Sequence, residues 1–179
     1  MLSINKYNPI NSNIISYLSY SYNKTILPDN IQLVLDIIDE ETENKLISLI
    51  RDNKIPELKS ICKCINDNVF IPLGLKFNDY QFTITSKGTG IKPYIDNKSK
   101  YSGVSAILSM GSDILFNLKN ISKNTVSNIV LPRRSLLVII DPNYEILKGI
   151  AQRDTDIIDR NTTILREDRY SITFRNAKY

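Results

Sequence analysis

The sequence has no histidine and no tryptophan, and only two of its 179 residues are cysteines. The absence of histidine excludes a Ser–His or Cys–His nucleophile, and it excludes any zinc or iron site with imidazole ligands. A metal would have to be held by carboxylates or by the two thiols. Because Cys62 and Cys64 have no histidine near them, we interpret them as reduced cysteines of an intracellular protein.

Long apolar runs are also missing. No segment approaches about 20 consecutive apolar residues, and the N-terminus has no basic stretch followed by an apolar one, so neither a membrane span nor secretion is expected. We therefore expect a location in the cytoplasm or nucleus. The heavy use of Asn, Ile, Lys and Tyr is typical of an AT-rich genome, viral or protozoan, and the formal charge of +4 permits contact with nucleic acid without requiring it.

What is present suits one folded domain. A hydrophobic fraction of 42% is enough for a core. Residues 1–30 are rich in Asn, Ser and Tyr and are predicted to form an N-terminal arm, with the domain spanning residues 31–179. The Tyr-rich stretch at 7–22 is either a docking element or a terminus without a partner.

The pattern predicts one helix followed by many short strands. Asp39 can cap a helix over residues 40–52, because acidic residues fill the first turn and apolar residues follow at helical spacing. A short strand over Ile31–Asp36 precedes it. Eight later runs rich in β-formers are separated by turn residues about every ten positions and are predicted to be strands: Tyr80–Thr85, Ile91–Ile95, Val104–Ser109, Ile114–Leu118, Thr125–Leu131, Ser135–Ile140, Tyr144–Leu147 and Arg169–Phe174. We expect a mainly β fold with a flanking helix (α+β), in the form of an antiparallel barrel or jelly roll.

The last strand is the most informative segment. Side chains alternate along a strand, so Arg169, Ser171, Thr173 and Arg175 share one face while the aromatic and aliphatic residues between them share the other. Alone, this pattern is also typical of an edge strand with a solvated polar face.

Several motifs in a fixed order make the chain resemble a known family. They are Gly88–Asp96 (GTGIKPYID), Val104–Phe116 (VSAILSMGSDILF), Leu131–Ile140 (LPRRSLLVII), Tyr144–Ile150 (YEILKGI) with Arg153 after it, and Arg169–Arg175 (RYSITFR). This set resembles the AlkB-like family of Fe(II)/2-oxoglutarate dioxygenases, and LPRRSLLV resembles the branch that acts on tRNA. The resemblance covers about residues 31–178. It implies a double-stranded β-helix, which is a squashed jelly roll.

The resemblance also implies where a metal site would lie. In the family, iron is held by a His-x-Asp pair and a distal His. Here the proximal histidine position is occupied by Tyr94, the carboxylate remains as Asp96, and the distal histidine position is occupied by Lys148. The two arginines that help seat 2-oxoglutarate remain as Arg169 and Arg175.

Other family features are altered. Two positions that contact the co-substrate are occupied by Thr83 and Thr85. The segment that carries a nucleotide-recognition lid and an extra helix in the family is short here. Arg133 and Arg134 precede a structural strand, and we interpret them as charges at the end of the barrel.

The donor set argues against iron. A phenol must lose a proton of pKa about 10 to become a strong ligand, and an ammonium has no lone pair. We therefore expect Lys148 to replace the metal and pair with Asp96, and we expect Lys148→Ala to destabilise the fold. Arg169 and Arg175 either bind a dicarboxylate without metal or pair with internal acids such as Asp96.

Three functions remain open at this stage. The first is a catalytically degenerate homologue that acts as a binding or scaffold protein, with nucleic acid or a protein assembly as partner and neither Fe(II) nor 2-oxoglutarate required as cofactor. The second is an active Fe(II)/2-oxoglutarate dioxygenase that demethylates alkylated nucleic acid. The third is a jelly-roll structural component of a larger assembly.

Overall fold

Residues 27–178 are described by a computed structural model, and the predicted arm lies outside them except for its last four residues. Leu27 packs against the core, and the Asn30 side chain donates a hydrogen bond to the carbonyl of Ile140 at 2.9 Å. The described part of the chain contains two α-helices and eleven strands. In chain order they are β1 (Ile31–Val34), α1 (Glu40–Arg51), α2 (Ile55–Ile65), β2 (Asp79–Thr85), β3 (Ile91–Tyr94), β4 (Tyr101–Met110), β5 (Ile114–Asn120), β6 (Thr125–Leu131), β7 (Ser135–Ile140), β8 (Ile146–Ile150), β9 (Thr155–Ile157), β10 (Thr163–Leu165) and β11 (Arg169–Ala177).

The strands form two larger antiparallel sheets and a small ribbon. The five-stranded sheet has the order β1–β7–β4–β11–β2, the four-stranded sheet has the order β3–β8–β5–β6, and β9 pairs with β10. An apolar core built from β1, β4 and β7 of one sheet and β5, β6 and β8 of the other lies between the two sheets. The expected mainly β, jelly-roll architecture is confirmed.

The helices cover the outer face of the five-stranded sheet. Helix α1 begins where predicted, because the Asp39 carboxylate accepts the amide of Thr42 at 2.8 Å and caps the first turn. Apolar residues of both helices form a second core with the outward side chains of β4, β7 and β11.

Three elements were not predicted. Helix α2 contains Pro56 in its first turn and is followed by a π-helical turn over Asn66–Phe70 and a 3-10 turn over Ile71–Leu73. A proline interrupts a helix interior but fits the first turn, where its missing amide has no helical partner, so Pro56 opens α2 rather than ending a helix. The short ribbon strands β9 and β10 were also missed.

One predicted strand is displaced. The expected strand Tyr144–Leu147 is observed as β8, Ile146–Ile150. Tyr144 has a positive φ of 59°, and the carboxylate of Asp141 accepts the amides of Glu145 and Ile146, so a capped turn occupies the first two residues of the predicted strand.

The alternation predicted for the last strand is confirmed, although β11 is not an edge strand. It lies between β4 and β2. Tyr170, Ile172 and Phe174 belong to the core under the helices, whereas Arg169 and Arg175 face the space between the sheets and are buried.

Candidate functional site

A cavity of about 330 Å³ opens between the two sheets. Its floor is the polar face of β11, and its walls come from β2, β3 and the loop after β3. The residues that line it are Gln81, Thr83, Ile91, Tyr94, Ile95, Asp96, Asn97, Tyr101, Ile107, Phe116, Arg169, Ser171, Thr173 and Arg175. The cavity thus brings together four of the five site residues predicted from the sequence, and the fifth, Lys148, reaches it through its contact with Asp96.

Tyr94, Asp96 and Lys148 meet where β3 pairs with β8. Tyr94 and Lys148 are cross-strand partners, and Asp96 follows the end of β3. The ammonium of Lys148 donates a hydrogen bond to Asp96 Oδ2 and lies 5.7 Å from the centre of the Tyr94 ring. The Lys148 residue is only 1% exposed, so its charge depends on Asp96 for compensation.

Asp96 has a second cationic partner. Arg175 Nε donates to Asp96 Oδ1 at 2.9 Å, and another nitrogen of the same guanidinium donates to Gln81 Oε1 at 2.7 Å. The guanidinium carbon also lies 5.0 Å from the centre of the Tyr101 ring. Of the two outcomes open for the arginine pair, Arg175 therefore pairs with the internal acid.

The charges of this group follow from its surroundings. Burial raises the pKa of Asp96, but the ammonium of Lys148 and the guanidinium of Arg175 outweigh it, so that this pKa lies below its ordinary value. Burial lowers the pKa of Lys148 and is only partly offset by Asp96. Burial also raises the pKa of Tyr94, which keeps its phenol protonated at neutral pH.

These residues do not fit an Fe(II) site. A neutral phenol and an ammonium replace the two imidazoles of a facial triad, and the one carboxylate is already shared by Lys148 and Arg175. Within residues 27–178, no three His, Cys, Asp or Glu side chains are grouped closely enough to hold a metal ion. An iron ligand set built on Asp96 would first have to displace both of its cationic partners.

Arg169 stands at the other end of β11 in a different environment. The residue is 1% exposed, and its Nε donates to Ser109 Oγ at 2.9 Å. One of its terminal nitrogens, Nη2, is buried and has no hydrogen-bond partner, and the same is true of the hydroxyl of Thr85, its cross-strand partner. Burial lowers the pKa of Arg169 to about 10, so the guanidinium remains charged at neutral pH.

The buried part of the cavity therefore carries excess positive charge. Lys148, Arg169 and Arg175 supply three cations, and two of them share the single carboxylate of Asp96. Buried charges are ordinarily paired, and a buried donor without a partner costs about 1–3 kcal/mol. An anionic group bound at the Arg169 guanidinium would supply a counter-charge.

Arg133 and Arg134 do not line the cavity, as expected. Arg133 forms an ion pair with the fully buried carboxylate of Glu43 on α1, while Arg134 pairs with Asp36. These contacts tie the β6–β7 turn to the helix layer. Their role is structural.

A second buried ion cluster escaped the sequence-based prediction of sites. Asp156 accepts two hydrogen bonds of 2.7 Å from Arg166, and it also accepts one from Arg153 and one from the amide of Leu115. The remaining nitrogen of the Arg166 guanidinium, Nη1, donates a hydrogen bond to the carbonyl of Ala151. Every charge in this cluster is paired, so it holds the β9–β10 ribbon to the four-stranded sheet and offers no unsatisfied donor.

Gln81 and Ser109 were also missed as partners of the two arginines. The signal for Ser109 was available, because Ser105 and Ser109 lie on the same face of β4 at a spacing of four and end up beside the arginine face of β11. Gln81 shares its face of β2 with Thr83 and Thr85, but only the pairing of β2 with β11 places it near Arg175.

No protein-family model matches the chain. An uncharacterized protein of Acanthamoeba polyphaga mimivirus is 37% identical over 131 residues, which are 70% of this chain and 60% of that protein. The tRNA (carboxymethyluridine(34)-5-O)-methyltransferase alkbh8 of Xenopus tropicalis is 27% identical over 139 residues, 68% of this chain but 21% of that protein. The Mus musculus protein of the same name is 32% identical over 112 residues, 60% of this chain and 17% of that protein.

Among solved structures, a Pseudomonas putida prolyl-4-hydroxylase matches with a TM-score of 0.55 and 12% identity, covering 96% of this chain and 97% of that one. This likeness shows the fold, which is the jelly roll of the 2-oxoglutarate/Fe(II) oxygenases. Together with the distant sequence similarity, it supports the superfamily implied by the motifs. The chain spans less than two thirds of the length of its sequence relatives. One relative is viral, in agreement with the composition, and the described residues include no helix long and apolar enough to cross a membrane.

Proposed function

We propose that this protein is a non-catalytic relative of the 2-oxoglutarate/Fe(II) oxygenases that binds a carboxylate-bearing ligand in its cavity without a metal. The observation that carries the proposal is Arg169, a buried guanidinium that lines a 330 Å³ cavity and has one terminal nitrogen without a hydrogen-bond partner. A guanidinium binds carboxylates through charge-assisted hydrogen bonds, which are stronger in a site that excludes water.

The metal end of the cavity supports the same proposal. Lys148 provides the positive charge that a divalent ion provides in a facial triad, and it needs no further ligand because Asp96 accepts its hydrogen bond. Oxidation chemistry that depends on iron has no ligand set to support it here. What the cavity offers instead is recognition of an anion.

A binding experiment tests the proposal. Isothermal titration of the purified protein with glutarate and with 2-oxoglutarate, in the presence of EDTA, should give binding that Arg169→Met reduces at least tenfold. The matched control is Arg160→Met, because Arg160 is exposed and lies outside the cavity. Circular dichroism of both variants separates loss of binding from loss of folding.

Three results would overturn the proposal. If neither dicarboxylate binds, or if Arg169→Met binds as well as wild type, the cavity is not an anion site. If the purified protein holds stoichiometric iron and releases succinate from 2-oxoglutarate, the active dioxygenase is the correct function.

A further inference from the structure

A basic patch lies beside Asn97 and Tyr101, two residues that line the cavity. We define the rim patch as Lys98, Lys100 and Lys178 together with Tyr101 and Tyr144. The loop after β3 and the C-terminal end of β11 are fastened together there, because the amide of Lys178 donates to the carbonyl of Lys100 at 2.9 Å and its ammonium donates to the carbonyl of Lys98 at 3.0 Å. Since Asn97 and Tyr101 line the cavity, a ligand that leaves the cavity at this side meets the rim patch.

The three lysines of the rim patch are exposed. Within residues 27–178, none of their ammonium groups forms an ion pair with a carboxylate. They lie over aromatic rings instead: Lys98 and Lys178 are 5.8 and 5.6 Å from the centre of Tyr144, and Lys100 is 4.8 Å from the centre of Tyr101. Aromatic contact holds these charges at defined places on the surface.

Resting on the proposed function, we propose that the ligand is an acidic segment of a protein partner. One of its Glu or Asp carboxylates enters the cavity and binds Arg169, and carboxylates further along the segment bind the lysines of the rim patch, of which Lys178 lies nine residues from Arg169 along the chain. One ligand, which carries carboxylates along a peptide chain, then supplies counter-charges to buried Arg169 and to the exposed lysines of the rim patch.

The details of the patch favour a peptide over a nucleic acid. Single-stranded nucleic acids are bound in large part by stacking bases on aromatic faces, and here Tyr144 and Tyr101 are already in contact with side-chain cations, including Arg175 at 5.0 Å. A flipped base is uncharged, so it would leave the guanidinium of Arg169 without a counter-charge in the cavity. A carboxylate of an acidic segment supplies that charge.

Fluorescence anisotropy with a labelled twelve-residue poly-glutamate peptide tests the proposal on the full chain. We expect salt-sensitive binding that the triple variant Lys98→Gln/Lys100→Gln/Lys178→Gln weakens at least tenfold. The matched control, Lys59→Gln/Lys63→Gln/Lys123→Gln, removes the same charge from exposed lysines elsewhere and should change the affinity by less than twofold. Arg169→Met should weaken peptide binding while leaving the rim patch intact.

The outcomes separate this inference from the proposed function. If a single-stranded RNA with the same number of charges binds more tightly than the peptide, or if the two triple variants lose affinity equally, the acidic-peptide proposal is wrong. If the small dicarboxylates bind at Arg169 and the peptide does not bind, only this inference fails. If neither binds, the proposed function fails with it.

Discussion

The two ends of β11 bury the same kind of side chain in opposite states. Arg175 shares the carboxylate of Asp96 with Lys148 and donates a further hydrogen bond to Gln81. Arg169, six residues away along the strand, has a serine hydroxyl on one nitrogen and a terminal nitrogen with no partner. We refer to these regions as the Asp96 end and the Arg169 end.

We interpret the Asp96 end as structural, and the Arg169 end is where the proposed ligand would bind. At the Asp96 end, Lys148 and Arg175 both form ion pairs with the carboxylate of Asp96. This is the arrangement of a structural ion pair. At the Arg169 end, an unpaired buried donor persists although it costs stability, and such exceptions in a folded protein call for an explanation. A ligand that is absent from the free protein provides one.

The largest effect is expected from removing the cation at the Asp96 end. We expect Lys148→Ala to lower the free energy of unfolding by about 3 kcal/mol, because breaking a buried pair leaves Asp96 with fewer counter-charges. Lys148→Met, which keeps a long side chain but removes the charge, should have the same effect. Urea denaturation measures this change. The control Lys119→Met, on the exposed side of the neighbouring strand β5, should stay within about 0.5 kcal/mol of wild type. A Lys148→Met protein as stable as wild type would contradict the idea that the ammonium replaces a metal.

A second prediction converts the Asp96 end into a metal site. Tyr94 and Lys148 face each other across β3 and β8. The double variant Tyr94→His/Lys148→His should therefore form, together with Asp96, a ligand set of two imidazoles and one carboxylate. We expect the double variant, unlike wild type, to bind Co²⁺ and to gain about 2.7 kcal/mol of stability at a metal concentration 100-fold above Kd. Adding Asp96→Asn should remove the effect. Equal stabilisation of wild type by Co²⁺ would mean that the metal binds elsewhere.

The sequence predicted the elements whose signals are local. The Asp39 cap set the start of α1, and the alternation in Arg169–Arg175 separated the two faces of β11. Helix α2 was not predicted, and it carries Pro56 in its first turn, where a proline is tolerated. Strands β9 and β10 have only three residues each, which is too short for a periodic signal.

The site was only partly predictable, because contacts between segments far apart in the chain leave no local signal in the sequence. The motif order placed Lys148 near Asp96, and the structure brings them into contact. Nothing in the motifs distinguished Arg175 from Arg169. Their different states follow from what lies beside each arginine: Asp96, in the loop after β3, contacts Arg175, while the strand pairing sets Arg169 next to Thr85, a residue with no charge to offer.

A third prediction uses pH to sharpen the comparison. The pKa of Asp96 is lower in the folded protein than in the unfolded chain, where it is about 3.9, so its stabilising contribution is present above that value and is lost as the pH falls through the folded pKa. The stability advantage of wild type over Asp96→Asn should therefore be constant between pH 5 and 6 and shrink below about pH 4. Each tenfold change in proton affinity is worth about 1.4 kcal/mol. An advantage that does not change down to pH 3 would show that the Asp96 charge is not stabilised by Lys148 and Arg175.

The smallest effect is expected at the Arg169 end, and it tests the comparison most directly. Arg169→Met removes a desolvated charge that has an unpaired nitrogen, so the gain from relieving that desolvation offsets the lost bond to Ser109. We expect the unfolding free energy of the ligand-free protein to change by less than about 1 kcal/mol, while glutarate no longer stabilises the variant. The control is Arg166→Met, since Arg166 is equally buried but fully paired with Asp156, and its loss should cost about 3 kcal/mol or more. If both arginine variants were destabilised to the same extent in urea, Arg169 would be as structural as Arg166, and the distinction between the two ends of the cavity would not hold.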